Sequence, residues 1–184
     1  MDTLSHAAWG YASLRWHSKK MAWYGALAGA APDLLFFVPS RIDQTITMGW
    51  DKAWSIPHDP AIWQANGPPM PPELMYVYHH YYIYTHSLIL LAGGLLFLFL
   101  IRKRLWMWLG IPYGLHLLMD FPTHERFLTQ LFFPISNWTF QGIRWSDPRI
   151  FIPNIILLLI TYTMIWWYYH YRLRYTSEQN LNIG

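Results

Sequence analysis

Apolar runs alternate along this chain with short basic turns and two long polar connections. Residues 75–101 (MYVYHHYYIYTHSLILLAGGLLFLFLI) and 150–171 (IFIPNIILLLITYTMIWWYYHY) are almost continuously apolar or aromatic. As helices, runs of this length cross a hydrocarbon layer of about 30 Å. Residues 21–39 and 105–121 are shorter apolar segments, and the first 17 residues carry apolar side chains over most of a helical surface. The latter predict a fifth, short span. Arg15, Lys19 and Lys20 separate the first two segments, Arg102, Lys103 and Arg104 the third and fourth, and Arg172 and Arg174 follow the fifth. Because cations favour the cytoplasmic side, the pattern predicts one all-α domain over residues 1–184. It is an integral membrane bundle of about five helices, N-terminus out and C-terminus in, with two outer connections near residues 40–73 and 122–149.

Composition sharpens this picture. Only 12% of residues are charged against 54% hydrophobic and 19% aromatic, which points to a multi-pass protein of the plasma (inner) membrane with lipid as its natural neighbour. A net charge of +3, scattered in small groups, gives no nucleic-acid surface. The absence of cysteine removes disulfides and thiolate metal sites, leaving His and carboxylate as the available metal ligands. The N-terminus begins acidic and turns basic after a short apolar stretch, the reverse of a signal peptide, and reads as mature structure.

Against that background the polar residues inside apolar segments stand out. In GLHLLMDFPTH, His116, Asp120 and His124 recur every four residues and share a helical face up to Pro122. An unpaired polar group there costs several kcal/mol, and an HxxxD pair one turn apart can bind a single cation. The basic turns supply a ruler. His6 lies 13 residues before Lys19, Asp33 13 after Lys20, His86 16 before Arg102, and His116 and Asp120 12 and 16 after Arg104. At about 1.5 Å per helical residue, these five sit roughly 18–24 Å above the turns, at one level in the outer half of the membrane.

The local contexts differ. Asp33 ends GALAGAAPD, where small residues permit close helix approach and Pro32 restrains the backbone. His86 is flanked by Thr85 and Ser87, hydroxyls suited to fixing a ring tautomer. His6 follows Asp2, Thr3 and Ser5, any of which can cap the first helix. His79, seven residues before His86, falls on a similar helical face and is a candidate substrate contact. Arg126 and Arg144 of the second connection are candidates to meet an anionic headgroup. The first connection holds six prolines between Pro57 and Pro72 and resists regular structure.

With DTLSHAAWGY, GALAGAAPD, YTHS and HLLMD in this order, the chain resembles the YdjM-like family of membrane-bound metal-dependent hydrolases from His6 to about Pro134. That family resembles in turn the zinc-dependent phospholipase C and single-strand nuclease superfamily. The resemblance implies His6, Asp33, His86, His116 and Asp120 as metal ligands, with His124 as a further one, and one or two Zn²⁺ or another divalent ion as cofactor. It implies hydrolysis of a phosphoester; a site at headgroup level makes a lipid or lipid-linked ester the natural substrate, with Asp33 or Asp120 as general base where that acid is not fully committed to metal. Two positions depart from the family pattern: Leu35 replaces a second acid, and Tyr81, Tyr82 and Ile83 replace a His-Arg-Gly. The main alternative is a non-enzymatic membrane protein that binds or transports a divalent cation. A haem protein with His86 and His116 as axial ligands would leave Asp33 and Asp120 without purpose.

Overall fold

The computed structural model describes residues 1–55, 72–125 and 128–181, and every regular element among them is helical. Helix α1 (Thr3–Leu14) starts where Asp2 accepts the Ser5 amide at 2.8 Å and the Ser5 hydroxyl at 2.6 Å, so Asp2 is the cap. The long α2 (Lys19–Met48) is capped by Ser18 and followed by α3 (Trp50–Ser55), over whose Trp54 ring Arg41 lies at 4.9 Å. Helix α4 (Pro72–Val77) widens into a π-helical turn (Tyr78–Tyr82) that leads through α5 (Ile83–Thr85) to a break at His86. Then come α6 (Leu88–Leu100), α7 (Arg104–Met107), α8 (Gly110–Asp120) and α9 (Pro148–Leu181).

Among the described residues, α2 and the Pro148–Arg172 part of α9 are long and apolar enough to cross a membrane. Met75–Thr85 and Leu88–Leu100, bent by 41°, make a third crossing if taken together. The expected first and fourth spans are shorter than membrane helices: α1 has 12 residues and α8 has 11, so each rises only about 16–18 Å. Helix α1 begins, and α8 ends, at the buried polar residues described below.

The centre is built from α1, α2 and α8, joined by the end of the 72–85 segment. Helices α1 and α2 cross on glycine. A methyl group at Gly10 would collide with the Gly25 carbonyl, and one at Gly29 with the His6 carbonyl, so only hydrogen allows this approach. Beside the crossing, Phe36, Val77, Tyr78, Tyr82 and Ile83 form an apolar cluster. Helix α9 is held to α1 by polar rungs. The Trp9 indole donates to Asn154 at 2.8 Å, and the Tyr162 and Tyr169 hydroxyls donate to the carbonyls of Ala8 and Arg15. The rest of its apolar surface, including Ile156, Leu159, Met164 and Trp167, is exposed. That exposure suits contact with lipid rather than water.

Candidate metal centre

Three parts of the fold deliver four polar side chains to one buried point. Asp33 of α2, His86 at the break before α6, and His116 and Asp120 of α8 each present one ligand atom, all within 4.8 Å of one another. His86 Nε2 lies 3.2 Å from His116 Nε2. Asp120 Oδ2 lies 3.2 Å from His116 and 3.5 Å from His86, and Asp33 Oδ1 3.7 and 3.8 Å from the same two nitrogens.

Hydrogen bonds on the far side of each ring set its chemistry. His116 Nδ1 is 2.6 Å from the Gly29 carbonyl oxygen, and His86 Nδ1 is 3.1 Å from that of Tyr82. A carbonyl only accepts, so both Nδ1 atoms carry a proton, and in the neutral rings both Nε2 atoms are left as lone pairs. Thr85 fits this assignment. Its hydroxyl is 3.2 Å from the Tyr82 carbonyl, as a donor, and its oxygen is 2.9 Å from His86 Nδ1, as an acceptor. Two imidazole lone pairs and two carboxylate oxygens thus converge with no donor between them. Asp120 Oδ2 is fully buried and has no hydrogen-bond partner.

Such a set of acceptors is repulsive until a cation enters it. The residues fit Zn²⁺: bonds of 2.0–2.1 Å in a tetrahedron separate ligand atoms by about 3.3 Å, and the closest pairs here are at 3.2 and 3.5 Å. Asp33 is the looser member, held from behind by the Thr3 hydroxyl, which donates to Oδ2 at 2.6 Å.

His6 and His124 stand against the same carboxylate. His6 Nε2 is 2.8 Å from Asp120 Oδ1, and its ring stacks on His116 with centroids 3.6 Å apart. The α-amino group of Met1 also donates to Asp120 Oδ1, so both donors hold that oxygen and leave Oδ2 facing the rings. His124 is buried beyond the end of α8, its Nδ1 3.9 Å from Asp120 Oδ2 and 3.2 Å from the Tyr82 hydroxyl. The second connection pins it there. The Gly142 amide donates to the His124 carbonyl and the Ile143 amide to that of Pro122, and a side chain at Gly142 would run into Pro122.

All six expected ligands therefore gather in one place. His79 and Arg144, two of the expected substrate contacts, do not join them. His79 is exposed, with its ring against Tyr78. The π-helical turn inserts an extra residue between it and His86, which rotates His79 away from the buried face. Arg144 lies beside the exposed Asp147–Arg149 ion pair, where the Arg149 guanidinium, 3.0 Å away, holds the Asp147 carboxyl down at about 2. Arg126 lies outside the described residues. Ser87 does not serve His86 either. Its hydroxyl donates to the Phe133 carbonyl and its oxygen caps α6.

Sequence reasoning missed Tyr82 and Thr3. Tyr82, one turn before His86, stacks on that ring at 3.8 Å and hydrogen-bonds both His124 and Thr129. Its spacing from His86 was the available signal. No family model, curated protein or solved structure matches this chain.

Proposed function

We propose that this chain is an integral membrane metal-dependent hydrolase, of the YdjM-like kind, that binds Zn²⁺ through His86, His116, Asp120 and Asp33. Its substrate is the phosphoester of a lipid or lipid-linked molecule near the outer leaflet. The observation that carries the reading is the convergence of four acceptors on a point with no donor, one of them the unpartnered Asp120 Oδ2. Bound there, Zn²⁺ supplies Lewis acidity, bringing the pKa of a water toward about 7 and polarising a phosphoryl oxygen.

The chain's own residues do the rest. The Gly29 and Tyr82 carbonyls keep both Nε2 lone pairs turned inward. His6 holds Asp120 in place, and where His86, His116 and Asp120 alone hold the metal, Asp33, set back from the rings, accepts a proton from an attacking water. The apolar exposed faces of α6 and α9 support a membrane setting, with the basic turns on the cytoplasmic side, five passes through or into the bilayer, and the metal centre toward the outer face.

Metal content tests this first. Plasma mass spectrometry on detergent-purified protein should give one or two zinc per chain, lost in His116→Ala with Asp120→Ala, and the wild type alone should release product from a panel of phospholipid phosphoesters. Folded wild type without metal sinks the reading. Burial of all four ligand residues, which would complete a closed tetrahedron, favours a second reading, a non-enzymatic divalent-cation protein. Stoichiometric zinc with no turnover on any phosphoester would select it.

A further inference from the structure

A groove of about 840 Å³ runs between α2, α6, α7 and α8, its lining almost wholly apolar, from Ala31 and Tyr84 past Gly94 and Leu98. A second cavity of about 310 Å³ is lined by His17, Ser18 and Lys20. The two adjoin, sharing Tyr24, Trp106 and Leu109 in their walls, the first apolar and the second carrying Lys20. Arg104 opens α7 beside that end, next to Leu105 of the second cavity. Among the described residues no acid pairs with Lys20 or Arg104; their cations lie 5.9 Å from the rings of Tyr24 and Phe99.

The dimensions match one leaflet. Lys20 to Ala31 is eleven residues of α2, a rise of about 16 Å, against about 15 Å for half the hydrocarbon thickness. An acyl chain requires an apolar groove of this length. A phosphate requires unpaired cations at its mouth, and juxtamembrane Lys and Arg attract the anionic lipids of the cytoplasmic leaflet.

We propose that these two adjoining cavities are the binding site of an anionic glycerophospholipid of the cytoplasmic leaflet, its acyl chain along Gly94 toward Ala31 and Tyr84 and its phosphate between Lys20 and Arg104. The inference rests on the membrane placement proposed above and is independent of the metal centre. The bound lipid is not the hydrolase's substrate, because its phosphate lies thirteen residues of α2 from Asp33, about 20 Å along the helix.

Glycine supplies the test. A Cβ at Gly94 meets no heavy atom within 4 Å, and neither does one at Gly93, but only Gly94 lines the groove. Gly94→Leu therefore fills the groove without a backbone clash, and Gly93→Leu is its control. Detergent-solubilised protein is titrated with dioleoylphosphatidylglycerol or dioleoylphosphatidylcholine and read by native mass spectrometry, with zinc content and circular dichroism recorded on the same samples. The wild type should bind one phosphatidylglycerol per chain in preference to phosphatidylcholine. Gly94→Leu should lose at least tenfold in affinity while Gly93→Leu keeps it. Lys20→Gln with Arg104→Gln should lower the preference for the anionic lipid by about fivefold per cation removed.

Equal binding of the two lipids by the wild type overturns the proposal. So do equal effects of the two leucine variants, or a lipid-free dimer of this chain that Gly94→Leu dissociates. A wild type recovered without detergent that binds neither lipid would remove the membrane placement as well. Loss of zinc with lipid binding intact would count against the metal reading alone.

Discussion

His86 and His116 show how a side chain's function is set by what lies behind it. Each ring gives its Nδ1 proton to a backbone carbonyl of another turn or helix, and each is thereby left with a lone pair aimed at the other. Tyr82 extends this support. Its ring lies on His86 and its hydroxyl bridges His124 Nδ1 and Thr129 Oγ1, 3.2 and 2.9 Å away, in a fully buried setting. Tyr82→Phe should keep the stacking and the zinc but leave those two polar atoms without a partner, a cost of about 1–3 kcal/mol. Thermal unfolding in detergent, with metal content measured in parallel, checks it: a lowered transition with unchanged zinc is expected. The buried polar residues themselves were legible because an apolar segment leaves few bland explanations for His116 or Asp120. Their supporting partners were not, since a Gly29 carbonyl or a Thr3 hydroxyl carries no mark in sequence of the helix it will face.

At the scale of elements, the site depends on how closely α1 and α2 approach. Gly10, Gly25 and Gly29 form that contact, and the same stretch carries the carbonyl that orients His116. Gly29→Ala should therefore cost about 1–3 kcal/mol through overpacking and should also weaken zinc retention. Gly93→Ala, where a methyl meets open space, should be neutral or stabilising by up to about 1 kcal/mol through helix propensity. Thermal unfolding and metal content of the two variants, side by side, separate close packing from propensity. Residues 75–101 read as one uninterrupted helix in sequence because their apolar pattern is continuous. In the fold, the π-helical turn and the Ser87 cap divide that run. The break puts His86 in a non-helical conformation, φ −111° and ψ 33°, with its ring inside the bundle. The residue that caps α6 had been expected instead to assist the histidine.

For the whole molecule, the proposed membrane placement puts Lys52, in α3 beyond the end of α2, and Lys103, in the turn before α7, on opposite faces. The chain has no cysteine, so Lys52→Cys and Lys103→Cys each offer a single thiol. An impermeant maleimide added to intact cells should label the first, and inverted vesicles should label the second. Labelling of both from one side would overturn the arrangement. The sequence by itself determined the helical class, the apolar segments with their basic turns, and the His and Asp residues stranded among them. Hydrophobic periodicity and the cost of burying charge act locally and can be read along the chain. Only the tertiary structure decided that α1 and α8 stop short of a membrane's thickness, that His79 turns outward while His124 turns in, and that six polar side chains meet. Those outcomes depend on helix breaks, on backbone approach at glycine and on hydrogen bonds between residues as many as 154 positions apart. Contacts of that kind exist only once the chain has packed.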